Sequence, residues 1–346
     1  MNFRDSITLA RSRRNGNRIQ LGEAARHSPG IVMNHQSAGP LAFLNGELLP
    51  FEEVRLPVYD LAIVQGATVT ERLRTVRHQP YLVQEHLDRL DQSLAMVGWR
   101  IPGDVGPIDQ VVQDLARHNT KRLPDSEDMS IVIFVTAGQA VGDANGLIER
   151  SEPTVCVYSA PLPLARWGKA YTDGVKLIVP EVRQVPSTSI SPRIKMRSRL
   201  HWHLADRQAR AVEAEAMALL LDDSGHVTET SSGNLFIVNG GQLCTPPDDA
   251  VLPGIARSHI IRLAEQRGWR VRAQPLSPDD VLDAEEAFLT SSTYCILPVS
   301  SLNGSRIGTS IPGRVTKMFM DAWGEEIGLD FAGQALSALT PAGMTS

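Results

Sequence analysis

Residues 217–245 read MALLLDDSGHVTETSSGNLFIVNGGQLCT. Apolar runs rich in Leu, Val and Ile are broken by Asp-Ser-Gly and Asn-Gly-Gly, residues that reverse a chain tightly, so the stretch predicts two antiparallel hairpins in succession. Upstream, GVKLIVPEV (174–182) reads as a further strand, and a helical pattern runs from Ser198 to Met217. Downstream, PGIARSHIIRLAEQRGW (253–269) predicts a helix opened by Pro253-Gly254. A strand at RVRAQPL (270–276), a short helix near PDDVLDAEE (278–286) and a strand at AFLTSST (287–293) complete a unit built around antiparallel strands.

The first half mixes strands with helices. LAFLNGELLPF (41–51) is a hairpin about Asn45-Gly46, and strands are expected at EVRLPVYD (53–60) and VTERLRTV (69–76), followed by a Gln79-Pro80 turn. In YLVQEHLDRLDQSLAMVGW (81–99), Leu82, His86, Leu87, Leu90, Leu94 and Val97 share one helical face, which sets Arg89 away from the centre of the apolar stripe. MSIVIFVTAG (129–138) and PTVCVYSA (153–160) read as strands of one sheet, and PLPLARWGKAYTD (161–173) as a connection. The organisation expected is α+β with a small unit at 41–158, a linker at 159–169 and a larger unit at 170–330. The Arg- and Ser-rich residues 1–40 read as a flexible extension, and the small-residue tail 331–346 as disordered.

Composition narrows the function classes. A chain of 346 residues, 42% hydrophobic and 21% charged, has ample material for a core, and a net charge of −5 exerts no global pull on nucleic acid. No apolar run is long enough to span a bilayer. Three widely spaced cysteines, without CxxC spacing, fit a reducing compartment, so a cytoplasmic protein acting on small molecules is expected. His201 and His203 alternate along a helix and face different directions, so no metal site is expected there. Asp60 and Glu71 bracket a motif in the first unit and read equally as structural hydrogen bonders or site residues.

The remaining signal is order. NGELLPFEEVRLPVYD with Gln65, Gly66 and Glu71 behind it, EHLDRL, Ile194-Lys195 ahead of a helix, VTETSSGNLFIV, LPGIARSHII and AFLTSSTYCILPV follow one another along residues 43–330. In that order they resemble the class IV (fold type IV) pyridoxal-phosphate enzymes, which include branched-chain and D-amino acid aminotransferases and aminodeoxychorismate lyase. The resemblance implies two domains, a small α/β sandwich and a larger, mainly antiparallel pseudo-barrel, with pyridoxal 5'-phosphate between them and a homodimeric assembly. Lys195 matches the lysine that forms the Schiff base with the cofactor. Glu229, 34 residues on, matches the carboxylate that pairs with the pyridine nitrogen. Arg89, the backbone of Ile255 and Ala256, Ser291 and the Ser292 hydroxyl match the phosphate cradle. Asn234 holds the family spacing from Glu229 and reads as a stabiliser of the hairpin.

Three departures bear on substrate. Gln65 and Thr70 stand where the family carries aromatic residues, which implies a more polar pocket wall; the strand 129–138 lacks the carboxylate-binding arginine, with Val132 at the position used by branched-chain enzymes. Glu71 and Arg72 stand where the lyases carry threonines, which favours transamination of an amino acid with a 2-oxo acid. A lyase, or a relative that binds the cofactor without turnover, are the alternative readings.

Overall fold

The structure, a computed structural model, describes residues 39–142, 148–150 and 152–339. The expected extension at 1–38 and the end of the tail, 340–346, lie outside the described residues. Strands β1 (Leu41–Leu44), β2 (Glu47–Pro50), β3 (Thr68–Val76), β4 (Gln79–Pro80), β5 (Met129–Thr136) and β8 (Val155–Pro161) form one antiparallel sheet in the order β2-β1-β8-β5-β3-β4, and β6 (Ala140–Gly142) pairs with β7 (Ile148–Arg150). Asn45 and Gly46 take positive φ in the first hairpin, as a two-residue turn requires. Between β3 and β4 the turn residues are Arg77 and His78, both at positive φ, and Gln79-Pro80 belongs to a strand. Asp128 holds that turn by accepting from Thr75 Oγ1 (2.6 Å) and from the His78 amide (2.9 Å).

The single turn α1 (Leu61–Val64) is followed by α2 (Val83–Val97) and α3 (Ile108–Asn119), and α2 packs on β3. Leu90 and Leu94 from α2, Val111, Val112 and Leu115 from α3, and Val69, Leu73, Ile131 and Ile133 from the sheet make one core. The strand expected at 53–60 is absent: residues 51–53 form a short 3-10 turn and 54–57 run without a ladder partner, because Pro57 cannot donate to one.

The second sheet comprises β9 (Val175–Ile178), β10 (Met217–Leu221), β11 (Val227–Thr230), β12 (Asn234–Asn239), β13 (Gln242–Thr245), β14 (Arg270–Ala273), β15 (Glu286–Ser291), β16 (Cys295–Leu302) and β17 (Ser305–Arg306). The predicted hairpins are β10–β11 and β12–β13. Strands β11-β10-β9-β16-β15-β12 form a ring, closed by one antiparallel pair, Glu229 opposite Asn234. Closure removes the free edge that an open sheet would present. The fold is therefore mixed α+β, with an open sheet and a closed, mainly antiparallel barrel, as expected.

Alternation along β10 sorts the two sides of the barrel. Leu219 and Leu221 join the main core with Phe236 and Phe288, whose rings stack at 5.3 Å, while Ala218 and Leu220 pack with Trp202, Ala205 and Ala209 of α5 (Leu200–Val212). Each such buried ring is worth about 1.5–3 kcal/mol. Two sequence expectations are corrected here. Residues 164–173, expected as a connection, form α4 (Leu164–Asp173), and the start of the expected disordered tail forms the helix Phe331–Ser337 packed against it. Leu164, Tyr171, Phe331 and Ala335 are all buried in the main core, which selects helix over loop. The remaining helices are α6 (Ile255–Gln266), α7 (Pro278–Leu282) and α8 (Arg314–Ile327), so Phe331–Ser337 is α9. No helix among the described residues is long and apolar enough to cross a membrane.

Candidate active site

Lys195 sits in an extended segment pinned between the open sheet and α2. Its amide donates to Ser93 Oγ (3.2 Å), its carbonyl accepts from the Thr70 amide (2.7 Å), and Met196 bridges to Val69. The segment thus continues the sheet past β3 and carries the Lys195 amine to the wall of a cavity of about 460 Å³. Burial, with the nearby Arg89 charge, lowers the ammonium to about 8. At pH 7 about a tenth of the amine is then neutral and nucleophilic, against fewer than about one in a thousand for a lysine in water.

Glu229 lines the same cavity from β11. Its Oε2 accepts from Asn234 Nδ2 (3.0 Å) and its Oε1 from the Leu252 amide (3.3 Å). Asn234 Nδ2 also donates to the Leu252 carbonyl (3.0 Å), so the pair that closes the barrel also fixes the carboxylate. Burial raises this carboxyl to about 7, opposed by the Leu252 hydrogen bond and by the Lys195 charge. A partner bearing positive charge would restore its ionisation.

Arg89, expected away from the apolar stripe, is buried on α2 at 7% exposure. The reason is Glu71: Arg89 Nε and Nη2 donate to its two oxygens at 2.8 Å each, and His86 Nδ1 donates to Oε2 at 2.7 Å. Burial raises the Glu71 carboxyl, but the Arg89 charge and the hydrogen bonds outweigh it and hold the group at about 2. Arg89 Nη1 donates to the Pro253 carbonyl (3.0 Å), beside the start of α6, where no side chain caps the Ile255 and Ala256 amides. Among the described residues three of the five guanidinium N–H groups find partners, which leaves two for an anion. Free helix-terminal amides next to a fixed arginine are an anion site by chemistry.

Thr290 and Ser291 at the end of β15, and Ser292 and Thr293 just beyond it, line the same cavity. Lys195, Arg89, Glu229, Ile255, Ala256, Ser291, Ser292 and Thr70 are therefore brought together. Gln65 is not: it caps the exposed end of α1 and does not line this cavity. Asp60 lies outside it too, buried where it accepts from the Ala62 amide and from Thr136 and Thr154. His203 and Asp206 line its mouth, and no metal-holding cluster occurs among the described residues. Sequence reasoning missed Thr293, Trp202 and the clamp of Glu71 on Arg89 and His86. The clamp left a partial trace, since Glu71 alternates in step with Val69 and Leu73 and His86 lies on the apolar face of its helix, two polar residues on positions that pattern as core.

The profile of the family Amino-transferase class IV matches residues 68–302. The chain belongs to the class IV aminotransferases. It is 33% identical over 278 residues to a putative branched-chain-amino-acid aminotransferase of Methanocaldococcus jannaschii, covering 80% of this chain and 92% of that one. It is 27% identical over 277 residues to a D-alanine aminotransferase of Bacillus licheniformis, covering 79% and 92%. Among solved structures, the Escherichia coli branched-chain amino acid aminotransferase superposes with a TM-score of 0.73 at 26% identity, covering 89% of this chain and 98% of that one. The Thermobaculum terrenum branched-chain enzyme in its PLP-bound holo-form gives 0.71 at 25% identity, covering 88% and 99%. The chain is an aminotransferase, most like the branched-chain type. In this aminotransferase the cavity is formed where the open sheet meets the barrel mouth.

Proposed function

We propose that this aminotransferase holds pyridoxal 5'-phosphate in the cavity and moves an amino group between an amino acid and a 2-oxo acid, with Lys195 as anchor and proton carrier. The carrying observation is that a buried amine and a buried carboxylate, one depressed and one raised, face one cavity that Arg89 and the uncapped start of α6 also line. The donor set fits the group. Lys195 supplies a primary amine for its aldehyde, Glu229 an acid for its ring nitrogen, and Arg89, the Ile255 and Ala256 amides, Ser291 and Ser292 supply donors for its phosphate.

When bound, the cofactor is an electron sink for the charge left as a proton departs from the α-carbon. The residues do the rest. Glu71 keeps Arg89 from moving, since any swing would break two charge-assisted bonds at 2.8 Å. Glu229 would hold a protonated ring nitrogen by ionising beside it. Lys195 Nζ would accept the α-proton and later give it up, a role suited to a group near 8.

Assembly and location belong to the same proposal. Val58, Tyr59, Ile63, Val64, Leu200 and Leu204 are exposed apolar side chains on the loop around α1 and on the start of α5. Ser198 Oγ donates to the Gly66 carbonyl, which joins these two stretches into one face. We infer that a second copy of the chain covers it in a homodimer. Cys156, Cys244 and Cys295 are free and buried, consistent with a cytoplasmic setting.

The test is single-turnover mixing of the cofactor-loaded protein with a panel of L- and D-amino acids. Conversion of the bound cofactor to its amine form by any of them supports the proposal; cofactor binding with no conversion by the whole panel refutes it.

A further inference from the structure

Three cavities stand in series around Lys195. The substrate cavity of about 460 Å³ shares Lys195, Glu229, Arg199, Trp202 and Leu252 with a chamber of about 50 Å³ on the other side of those residues. That chamber in turn shares Gln184, Val185 and Pro192 with a groove of about 260 Å³, which reaches the surface beside the exposed Pro186, Ser187 and Asp249. One layer of residues thus divides each space from the next. The groove shares no residue with the substrate cavity, so the series leads from the lysine to solvent by a second way.

The small chamber has the chemistry of a water site. Gln184, Ser191, His201, Arg199, Glu229 and Lys195 all line it, and a buried water needs two to four polar partners. At about 30 Å³ of liquid volume per molecule the space takes roughly two. Gln184 marks where one binds: its Oε1 is buried with no hydrogen-bond partner among the described residues, a costly state unless water supplies the donor. The Gln184 amide donates to the Leu221 carbonyl at the end of β10 (2.9 Å), which fixes the residue at the division between chamber and groove. Burial, then the Arg199 charge, hold His201 below its ordinary range, so at pH 7 its ring is neutral and can both accept and donate.

The work assigned to Lys195 calls for such a route. An amine that takes up and gives back protons must stay in exchange with solvent, and a substrate that fills the front cavity excludes water there. We propose that the chamber is a water-filled passage joining the Lys195 amine to bulk solvent from behind, with Gln184 as its gate. The proposal deepens the aminotransferase reading and rests on it. The exchange is balanced: one N–H hydrogen leaves the amine for water as one from water returns. Gln184 is a positioning residue, acting through the water it holds, and it does not line the substrate cavity.

Three readouts test it, two of them independent of turnover. A crystal structure of the cofactor-loaded protein is expected to show ordered water bonded to Gln184 Oε1 and continuing toward Lys195; a dry chamber overturns the proposal. Titration of the cofactor-free protein by NMR of labelled lysine is expected to show the Lys195 ammonium losing its proton about tenfold more readily in Gln184→Leu, whose apolar end removes the water that solvates the charge. Val185→Phe, which fills the passage and leaves Gln184 in place, is expected to act in the same direction. An unchanged titration in both variants overturns the proposal. In a single turnover with the α-deuterated form of an amino acid that converts the cofactor, wild type is expected to lose most of the deuterium to water, and both variants to keep several-fold more of it on the amine-form cofactor. Equal retention in all three proteins overturns it too. Failure of the aminotransferase reading looks different: no amino acid converts the cofactor, while the chamber water and the Lys195 titration still decide the passage.

Discussion

Replacing Glu229 with glutamine should make the cofactor-free protein more stable at alkaline pH while slowing amino transfer. Burial holds the Glu229 carboxyl at about 7, against an ordinary 4.5. That difference corresponds to about 3 kcal/mol favouring the neutral form in the fold. Because the folded state keeps the proton where the unfolded chain has released it, stability falls as pH rises between those two values, and the whole loss is present above the higher one. Glutamine has no such charge to bury. It can still accept from the Leu252 amide, but its own amide would face Asn234 Nδ2, a donor, and the lost bond costs about 1 kcal/mol. Glu229→Gln should therefore be about 2 kcal/mol more stable than wild type near pH 8.5 and about 1 kcal/mol less stable near pH 4.5. Urea denaturation of both cofactor-free proteins at the two pH values reads this directly. A stability difference that does not change with pH would refute the reasoning. With cofactor, the variant should transfer amines about 10–100-fold more slowly, the worth of one charge-assisted bond to the ring nitrogen.

Glu71→Ala leaves Arg89 buried without its carboxylate and should cost about 3–5 kcal/mol in urea denaturation; a loss under about 1 kcal/mol would show that the clamp is idle. Gly254→Ala should weaken cofactor binding at least about tenfold by equilibrium dialysis, because a Cβ there would run into Asn234 Oδ1 and displace the partner of Glu229; unchanged affinity would contradict it. Ile63→Asp should convert the protein to monomer in sedimentation equilibrium, since it sets a charge in the exposed apolar face around α1, and a persistent dimer would exclude that face as the interface.

How far the sequence revealed the fold depended on whether local chemistry decided each element. Asn45-Gly46 and the two turns within 217–245 announce their hairpins, because few residues tolerate positive φ. Helix α2 was legible from Leu90 and Leu94, yet Arg89 misled, because a buried arginine has the same local signature as an exposed one until Glu71 arrives from β3. Helix α3 passed unnoticed between better signals, although Val111, Val112 and Leu115 form its buried stripe. Helices α4 and α9 stabilise each other across much intervening chain, so their burial could not be seen in either segment alone. The lysine and carboxylate of the candidate site came from motif order. The cationic wall of the cavity did not, because Arg72 lies far in sequence from Arg197 and Arg199 and meets them only where the lysine segment extends the sheet.

The most direct measurement is borohydride reduction of the pyridoxal-phosphate-loaded protein, followed by peptide mass spectrometry to find the modified side chain. The account predicts that the adduct sits on Lys195, the amine that burial and Arg89 depress to about 8, and that Lys195→Ala carries none there. An adduct on another lysine of the wild-type protein, or none at all, would contradict it.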